Sequence, residues 1–273
     1  MSRPFILLSG EFRITLPLVF QHDNWIHSQS AKILYLNDDK SFHRHNIDEH
    51  LLGCIYHAGV SDDTIRRQNF NFLIDNNIPC YPDPKILLSI DDRHACMEKV
   101  IRVGLNTNVV IQCKYETFGT DIPLKYPFVV KTGNEHQGQG KFLVKNESEL
   151  PKWDGIATIE PFFDGISCRV LWIDDDYFTL RFDNDFSWVK NTNGAEVSLY
   201  PEMPQAVIDH SRKVKSLFGL DVCGIDYIVG KDGWWFLEFN YAPGVDVSDA
   251  CTEAVNKFFG EKMKWVEEQS EIR

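Results

Sequence analysis

Apolar and polar positions alternate with two different periods along the chain, and the changes of period divide it into elements. Short apolar runs at Phe5 to Leu8 and Lys32 to Leu36 predict strands. A helix is predicted after Asp62-Asp63, where Ile65, Phe70, Phe72, Leu73 and Ile74 supply an apolar face and Asn76-Asn77-Ile78-Pro79 ends it. Tyr81-Pro82-Asp83-Pro84 reads as a linker, because its two prolines resist both helix and central strand. A second helix starts near Asp91-Asp92, runs through Arg93, Met97, Val100 and Ile101, and stops at Gly104. Strands are predicted at Val109 to Cys113, Phe128 to Lys131, Lys141 to Val144, Ala157 to Phe163, Cys168 to Ile173 and Tyr177 to Arg181. Asn146-Glu147-Ser148-Glu149 has the cap-then-Glu spacing of a helix start. Pro204 opens a helix through Val207, Val214, Leu217 and Phe218 that Gly219 closes, and one or two helical segments follow Asp249. The pattern separates a small α/β unit over residues 1–88 from a larger mixed unit over 89–273.

The most informative stretch is Gly224 to Gly244, which reads as a β-hairpin carrying acid at one end. A three-residue loop, Lys231-Asp232-Gly233, places Gly233 at the left-handed position and pairs Gly230 with Trp234. Counting outward sets Asp226 opposite Glu238, with Asn240 on the same face and Ile225, Tyr227, Val229, Trp235, Leu237 and Phe239 on the other. Like charges directly opposite on paired strands repel, so the arrangement suggests a cation, and an all-oxygen ligand set suits Mg²⁺ or Mn²⁺ better than zinc. The residues leave two alternatives open. The acids could sit at a solvated strand end, or a two-residue Asp232-Gly233 turn could shift the register and separate them.

Composition narrows the picture little. The hydrophobic fraction of 43% and charged fraction of 25% are those of an ordinary globular protein. A net charge of −12 argues against a surface built for nucleic acid. Seven cysteines, at 54, 80, 96, 113, 168, 223 and 251, include no CxxC pair and fit reduced thiols in a cytoplasmic protein. Met1-Ser2-Arg3-Pro4 leads into only a short apolar run, so no signal peptide is expected, and no run reaches the length of a membrane span. Phe42-His43-Arg44-His45, with His50 and His57, matches no metal-ligand spacing and reads as solvated loop. Asp174-Asp175-Asp176 reads as a solvated turn.

Phe128-Val129-Val130-Lys131 runs into Thr132-Gly133-Asn134-Glu135-His136-Gln137-Gly138-Gln139-Gly140 and then Lys141-Phe142-Leu143-Val144. Gly133 and Gly138 have the spacing that begins a Walker A motif, but Gln139-Gly140 stands where Lys-Ser/Thr is required and a strand follows where a helix should start. A strand, glycine-rich loop and strand remain, with Lys131 at the loop's base. Such a hairpin can serve as a lid over a triphosphate, or be an ordinary mobile loop.

Three features now stand in a fixed order: the Lys131 hairpin, Ile159-Glu160-Pro161-Phe162-Phe163-Asp164-Gly165-Ile166-Ser167-Cys168-Arg169, and the acid hairpin ending Glu238-Phe239-Asn240-Tyr241-Ala242-Pro243-Gly244. In that order the chain resembles the ATP-grasp superfamily, and within it the RimK-like carboxylate–amine ligases, over roughly residues 89 to 273. The resemblance implies an α/β (α+β) fold in which antiparallel sheets clamp the nucleotide, preceded by a small α/β domain. The central lid subdomain would span about 105–158 and the metal-binding subdomain 159–273. It implies ATP and Mg²⁺ (or Mn²⁺) as cofactors. Asp226, Glu238 and Asn240 would hold the metal, Lys131 a phosphate, Gly133, Gly138 and Gly140 the lid, and Glu160, Pro161, Phe162 and Phe163 the hinge beside adenine. Arg169 matches the family's arginine that helps hold an acyl phosphate, and Lys190 and Asn191 fall in its basic-then-Asn segment, giving three catalytic candidates. Arg93 stands where the family has a nucleotide-contacting lysine. Ser167 replaces an acid that meets the ribose, a contact that Asp164 could take over. The reaction implied joins a small-molecule or peptide carboxylate to an amine, in the cytoplasm, with no nucleic-acid or membrane partner and compatibly with a homo-oligomer. A kinase on the same frame, or an inactive ATP-binding module suggested by Arg93 and Ser167, are the alternatives.

Overall fold

In a computed structural model, residues 5–9, 24–28, 35–36, 41–44, 47–57, 63–90, 93–118, 124–133, 140–184, 187–189 and 195–272 are described. The N-terminal part contains strands β1 (Phe5–Ser9), β2 (Trp25–Ser28), β3 (Tyr35–Leu36), β4 (Ser41–Arg44), β5 (Ile47–His50) and β6 (Gly53–His57), helix α1 (Asp63–Asp75) and strand β7 (Cys80–Tyr81). A parallel sheet runs β2-β1-β6-β7, with α1 as the crossover from β6 to β7. The predicted helix after Asp62 is α1, and Asn77, at φ 51°, turns the chain out of it. Of the second strand expectation only Tyr35–Leu36 is a strand among the described residues. It belongs to a separate antiparallel sheet, β3-β4-β5.

His57 corrects the loop expectation. It ends β6, whose five residues are all buried, as befits an interior parallel strand covered on both faces. Its Nε2–H donates to the carbonyl of Pro243, 3.1 Å away, just past the acid hairpin. The expected linker is also structured, since Tyr81 closes β7 and Asp83 caps helix α2 (Pro84–Ser89). Helix α3 (Arg93–Arg102) follows and ends at Gly104, at φ 70°.

Two antiparallel sheets carry the rest. Strands β8 (Ile111–Cys113), β9 (Phe128–Thr132), β10 (Lys141–Val144) and β11 (Ala157–Pro161) pair in the order β10-β9-β11-β8. One face of this sheet is apolar: Phe128, Val130, Val144, Ala157 and Ile159 pack on Trp153. The helix predicted at Asn146 is one 3-10 turn, Glu147–Glu149, that Asn146 caps. Pro151, two residues on, lacks the N–H that continuation requires.

Strands β12 (Ile166–Ile173), β13 (Asp176–Asp183) and β14 (Glu196–Leu199), helix α4 (Gln205–Phe218), strands β15 (Val222–Gly230) and β16 (Gly233–Asn240) and helix α5 (Asp249–Glu271) complete the chain. The five strands pair antiparallel as β14-β13-β12-β15-β16. Helix α4 buries Val207, Ile208, Val214 and Phe218, and Gly219 closes it at φ 68°. Its partners in the core include Cys168, Val170, Trp172, Ile225, Tyr227, Phe236 and Phe239. Helix α5 crosses back to the N-terminal sheet, where Val266 fills the space that a side chain on Gly53 would need. Trp25 Nε1 donates to Glu267 Oε1 at 2.7 Å, and Tyr81 and Lys262 both reach the Asp221 carboxylate. All seven cysteines are free.

The β15–β16 hairpin departs from the expected register. Gly230 pairs with Gly233, so the turn has two residues, Lys231-Asp232, and not three. Tyr227 then faces Phe236, which by itself would place Asp226 opposite Leu237. A β-bulge absorbs Leu237 and restores the pairing of Asp226 with Glu238. Between turn and bulge the strand faces are exchanged. Trp234 and Phe236 join the core, while Trp235, opposite Ile228, leaves it for the face of Asp226.

Burial holds the His57 imidazole down to about 4 from 6.5, against the opposing hydrogen bond to Pro243. Between those values the unfolded chain binds more protons, so stability is complete above 6.5 and falls as pH drops towards 4. The full shift corresponds to about 3 kcal/mol. His57→Gln is therefore expected to flatten this part of the urea-denaturation profile; parallel profiles for variant and parent from neutral pH to pH 4 would remove His57 as the group responsible.

Candidate functional site

The site is a row across three strands of the five-stranded sheet. Arg169 on β12 pairs with Asp226 on β15, which pairs with Glu238 on β16. Arg169 grips Asp226 with two hydrogen bonds, Nε to Oδ1 at 2.6 Å and Nη2 to Oδ2 at 2.9 Å. Asn240 Nδ2 donates to the same Asp226 Oδ2 at 3.2 Å. Gly224, paired with Asn240, leaves room for this arrangement, because a Cβ there would lie 2.9 Å from Arg169 Cδ and Nε and from Pro243 Cβ.

The polar face of the other antiparallel sheet supplies the opposing groups. Lys131 and Lys141 are directly opposite on β9 and β10, and Lys131 forms a buried ion pair with Glu160 of β11. Arg93, in the first turn of α3, reaches across: its Nε is 3.8 Å from Glu238 Oε2, and its Nη1 donates to the Gly133 carbonyl at 3.5 Å. Lys141 Nζ is 3.7 Å from the same Glu238 oxygen. No side chain of these seven is more than 15% exposed, so the charges act with little solvent screening.

The electrostatics follow from that crowding. Burial would raise the Glu238 carboxyl, yet Lys141, Arg93, Lys131 and Arg169 outweigh it and hold the group well below the usual carboxylate range. Lys141 is pushed down by burial, against the attraction of Glu238 and with the repulsion of Lys131 and Arg93. Burial opposes the Arg169 charge, but Asp226 overcomes it and raises the guanidinium further.

The glycine loop is pinned at both described ends. Gly133 and Gly140 hold φ values of 61° and 65°, and the Gly140 carbonyl accepts from Thr132 N at 2.8 Å. The hinge candidates gather at the turn end of the acid hairpin. Pro161 ends β11, Phe162 N donates to the Pro127 carbonyl at 3.1 Å, and Phe163 stacks on Trp235 at 4.3 Å and 12°. The Asp164 carbonyl and the Gly230 backbone are so close that a Cβ on Gly230 would stand 2.5 Å from that oxygen. Ser167 is buried beside Ile228. Gly138, Lys190 and Asn191 lie outside the described residues.

Two participants are absent from the sequence-based list. Lys141 was legible as the residue that strand pairing across the loop sets opposite Lys131. Trp235 was not, since the two-residue turn, in place of the expected three-residue one, turns it to this face.

Comparison with known proteins agrees with the geometry. The model of the RimK-like ATP-grasp domain matches residues 90–257. Among solved structures, a RimK-domain ATP-grasp protein from Sphaerobacter thermophilus superposes with a TM-score of 0.68 at 15% identity, over 93% of this chain and 98% of that one. D-alanyl-alanine synthetase A from Vibrio cholerae gives 0.67 at 12% identity over 100% of both chains. A RiPP-associated ATP-grasp ligase from Chryseobacterium gregarium, in complex with ADP and a leader and core peptide, gives 0.65 at 14% identity over 96% and 97%. The order of the two antiparallel sheets, the buried charge between them and a family match covering more than half of the sequence lead to one conclusion: this chain belongs to the RimK-like ATP-grasp family.

Proposed function

We propose that the chain is an ATP- and Mg²⁺-dependent ligase that joins a carboxylate to an amine, of amino-acid or peptide type, through an acyl phosphate, releasing ADP and phosphate. The observation that carries this reading is the buried row Arg169–Asp226–Glu238, with Asn240 beside it, facing Lys131, Lys141 and Arg93. Among the described residues four cationic side chains, Arg93, Lys131, Lys141 and Arg169, meet three carboxylates, Asp226, Glu160 and Glu238, there, a balance that suits an anionic ligand.

The residues present fit a hard divalent cation. Asp226, Glu238 and Asn240 bring oxygen donors to one face, and Glu238 Oε2 is buried without a hydrogen bond among the described residues. These three residues would hold Mg²⁺, or Mn²⁺, whose chemistry is to neutralise phosphate charge during phosphoryl transfer.

The chain's own groups account for the remaining demands. Lys131 and Arg93 present fixed charge to the phosphates, and Gly133 and Gly140 allow loop backbone to approach them. Phe163 on Trp235, and Phe162 against Trp188, form an aromatic wall at the hinge for the base. The substrate carboxylate attacks the γ-phosphorus of ATP and ADP leaves. The amine then attacks the acyl carbon, gives up one N–H proton to solvent, and phosphate leaves with the C–O bond's electrons. Arg169, fixed by Asp226 through Nε and Nη2, turns its remaining N–H groups towards the oxygen charge of that second step. An amino-acid or peptide substrate accords with the peptide-bound and D-alanyl-alanine-forming relatives. The free cysteines accord with a cytoplasmic location.

Incubation with ATP, Mg²⁺ and pooled amino acids and peptides, read by mass spectrometry, tests the reaction. Loss of water between two substrates is expected; addition of a single phosphate to one of them would make the protein a kinase. Asp226→Asn and Glu238→Gln are each expected to lower Mg²⁺-dependent ADP release by about a hundredfold or more, and full turnover in either would end the metal assignment. Gly224→Ala should push Arg169 off Asp226 and lower kcat by about ten- to a hundredfold. Its ADP affinity should hold, so a parallel loss of binding would show that Gly224 serves the nucleotide site instead.

A further inference from the structure

Lys141 makes the least complete contact of the cluster. It opens β10 on the far side of the glycine loop, directly opposite Lys131, so the two ammonium groups leave the same face of the sheet. Like charges in that relation repel. Lys131 has its repulsion offset by the tight pair with Glu160. Among the described residues Lys141 has one ion-pair partner, Glu238, at 3.7 Å, beyond the roughly 2.7–2.9 Å of a charge-assisted hydrogen bond, with a weaker attraction to Asp226. Among the described residues it makes no hydrogen bond, although an ammonium carries three donors. The oxygen it faces, Glu238 Oε2, is equally short of a hydrogen bond while fully buried. The Arg169–Asp226 contact, by comparison, is closed at 2.6 and 2.9 Å. A buried cation and a buried anion that stop short of each other are both poised to accept better partners.

We propose that Lys141 is a second phosphate-binding lysine, held on Glu238 in the free protein as a stand-in for the divalent cation and handed to the nucleotide phosphates when the cation takes Glu238. The proposal rests on the ATP-dependent reading above and adds to it a residue and a coupling. A divalent cation alone must displace Lys141 from Glu238. A nucleotide draws Lys141 towards its phosphates and clears that carboxylate. Nucleotide and metal therefore tighten each other's binding through one side chain.

Two binding measurements on the full chain test this without reference to turnover. ADP binding is followed by calorimetry in EDTA and in Mn²⁺, and Mn²⁺ binding is followed by the paramagnetic resonance of free Mn²⁺, with and without ADP. Lys141→Met keeps the length and apolar stem while removing the charge. It is expected to weaken ADP binding in EDTA by about ten- to a hundredfold, the loss of one charged hydrogen-bonding partner. The same variant should bind Mn²⁺ alone several-fold more tightly, because Glu238 loses one of its two internal cations and keeps only Arg93. A merely structural lysine would move neither constant in that pattern. Lys141→Arg should retain ADP binding to within a few-fold, and if Lys141→Met fails to fold by circular dichroism, Lys141→Gln carries the same two readings. Unchanged ADP affinity in EDTA, or Mn²⁺ affinity that is unchanged or weaker, overturns the proposal while leaving the ligase reading intact. A parent protein that binds no ADP under either condition overturns both.

Discussion

Two carboxylates side by side on paired strands and out of water are a standing electrostatic cost. At an effective dielectric constant near 20, unit charges about 4 Å apart repel by about 4 kcal/mol. The protein meets that cost by laying the Arg169 guanidinium across Asp226 and drawing Arg93 and Lys141 up to Glu238. Much else is arranged around this neutralisation. Gly224 has no side chain because Arg169 lies over it, and Leu237 is bulged out because Asp226 and Glu238 would otherwise fall out of line.

The same logic assigns the two antiparallel sheets their faces. The sheet of β8 to β11 turns Phe128, Val130 and Ile159 into its own small core with Trp153, which frees the opposite face for Lys131, Lys141, Thr158 and Glu160. The five-stranded sheet buries Val170, Ile225 and Tyr227 beneath α4 and keeps Asp226 and Arg169 on its other side. Period-two alternation thus gives each sheet an apolar anchor and a charged surface. Helix α3 links the two chemically, with Arg93 reaching both Glu238 and the Gly133 carbonyl.

Much of this was legible in the residues. Alternation marked β9, β12 and β15, proline and glycine marked the ends of α4, and the acids on the hairpin marked the face that matters. The pairing of Asp226 with Glu238 was anticipated through a three-residue turn, whereas the structure reaches it through a two-residue turn and a bulge. A bulge is decided by what both faces must touch. Trp234 and Phe236 find Tyr227 across the hairpin and His210 on α4, and Trp235 finds Phe163, and neither His210 nor Phe163 belongs to the hairpin. His57 was misjudged for the same reason: its environment is made by Pro243 and Phe259, from the other end of the chain. Local patterns report what a residue can do, and distant partners determine which of those things it does.

The return of α5 to the first sheet has a kinetic corollary. Trp25 and Glu267, bonded to each other, are 242 residues apart in sequence, and the Val266 side chain lies where any substituent on Gly53 would have to go. Contacts of such separation form late, because the entropy of closing the loop between them must be met before they contribute. A chain made only as far as β16 would leave one side of the β1–β6 ladder without the cover that α5 supplies. The N-terminal unit precedes the rest of the chain in sequence but completes its folding with the C-terminal helix.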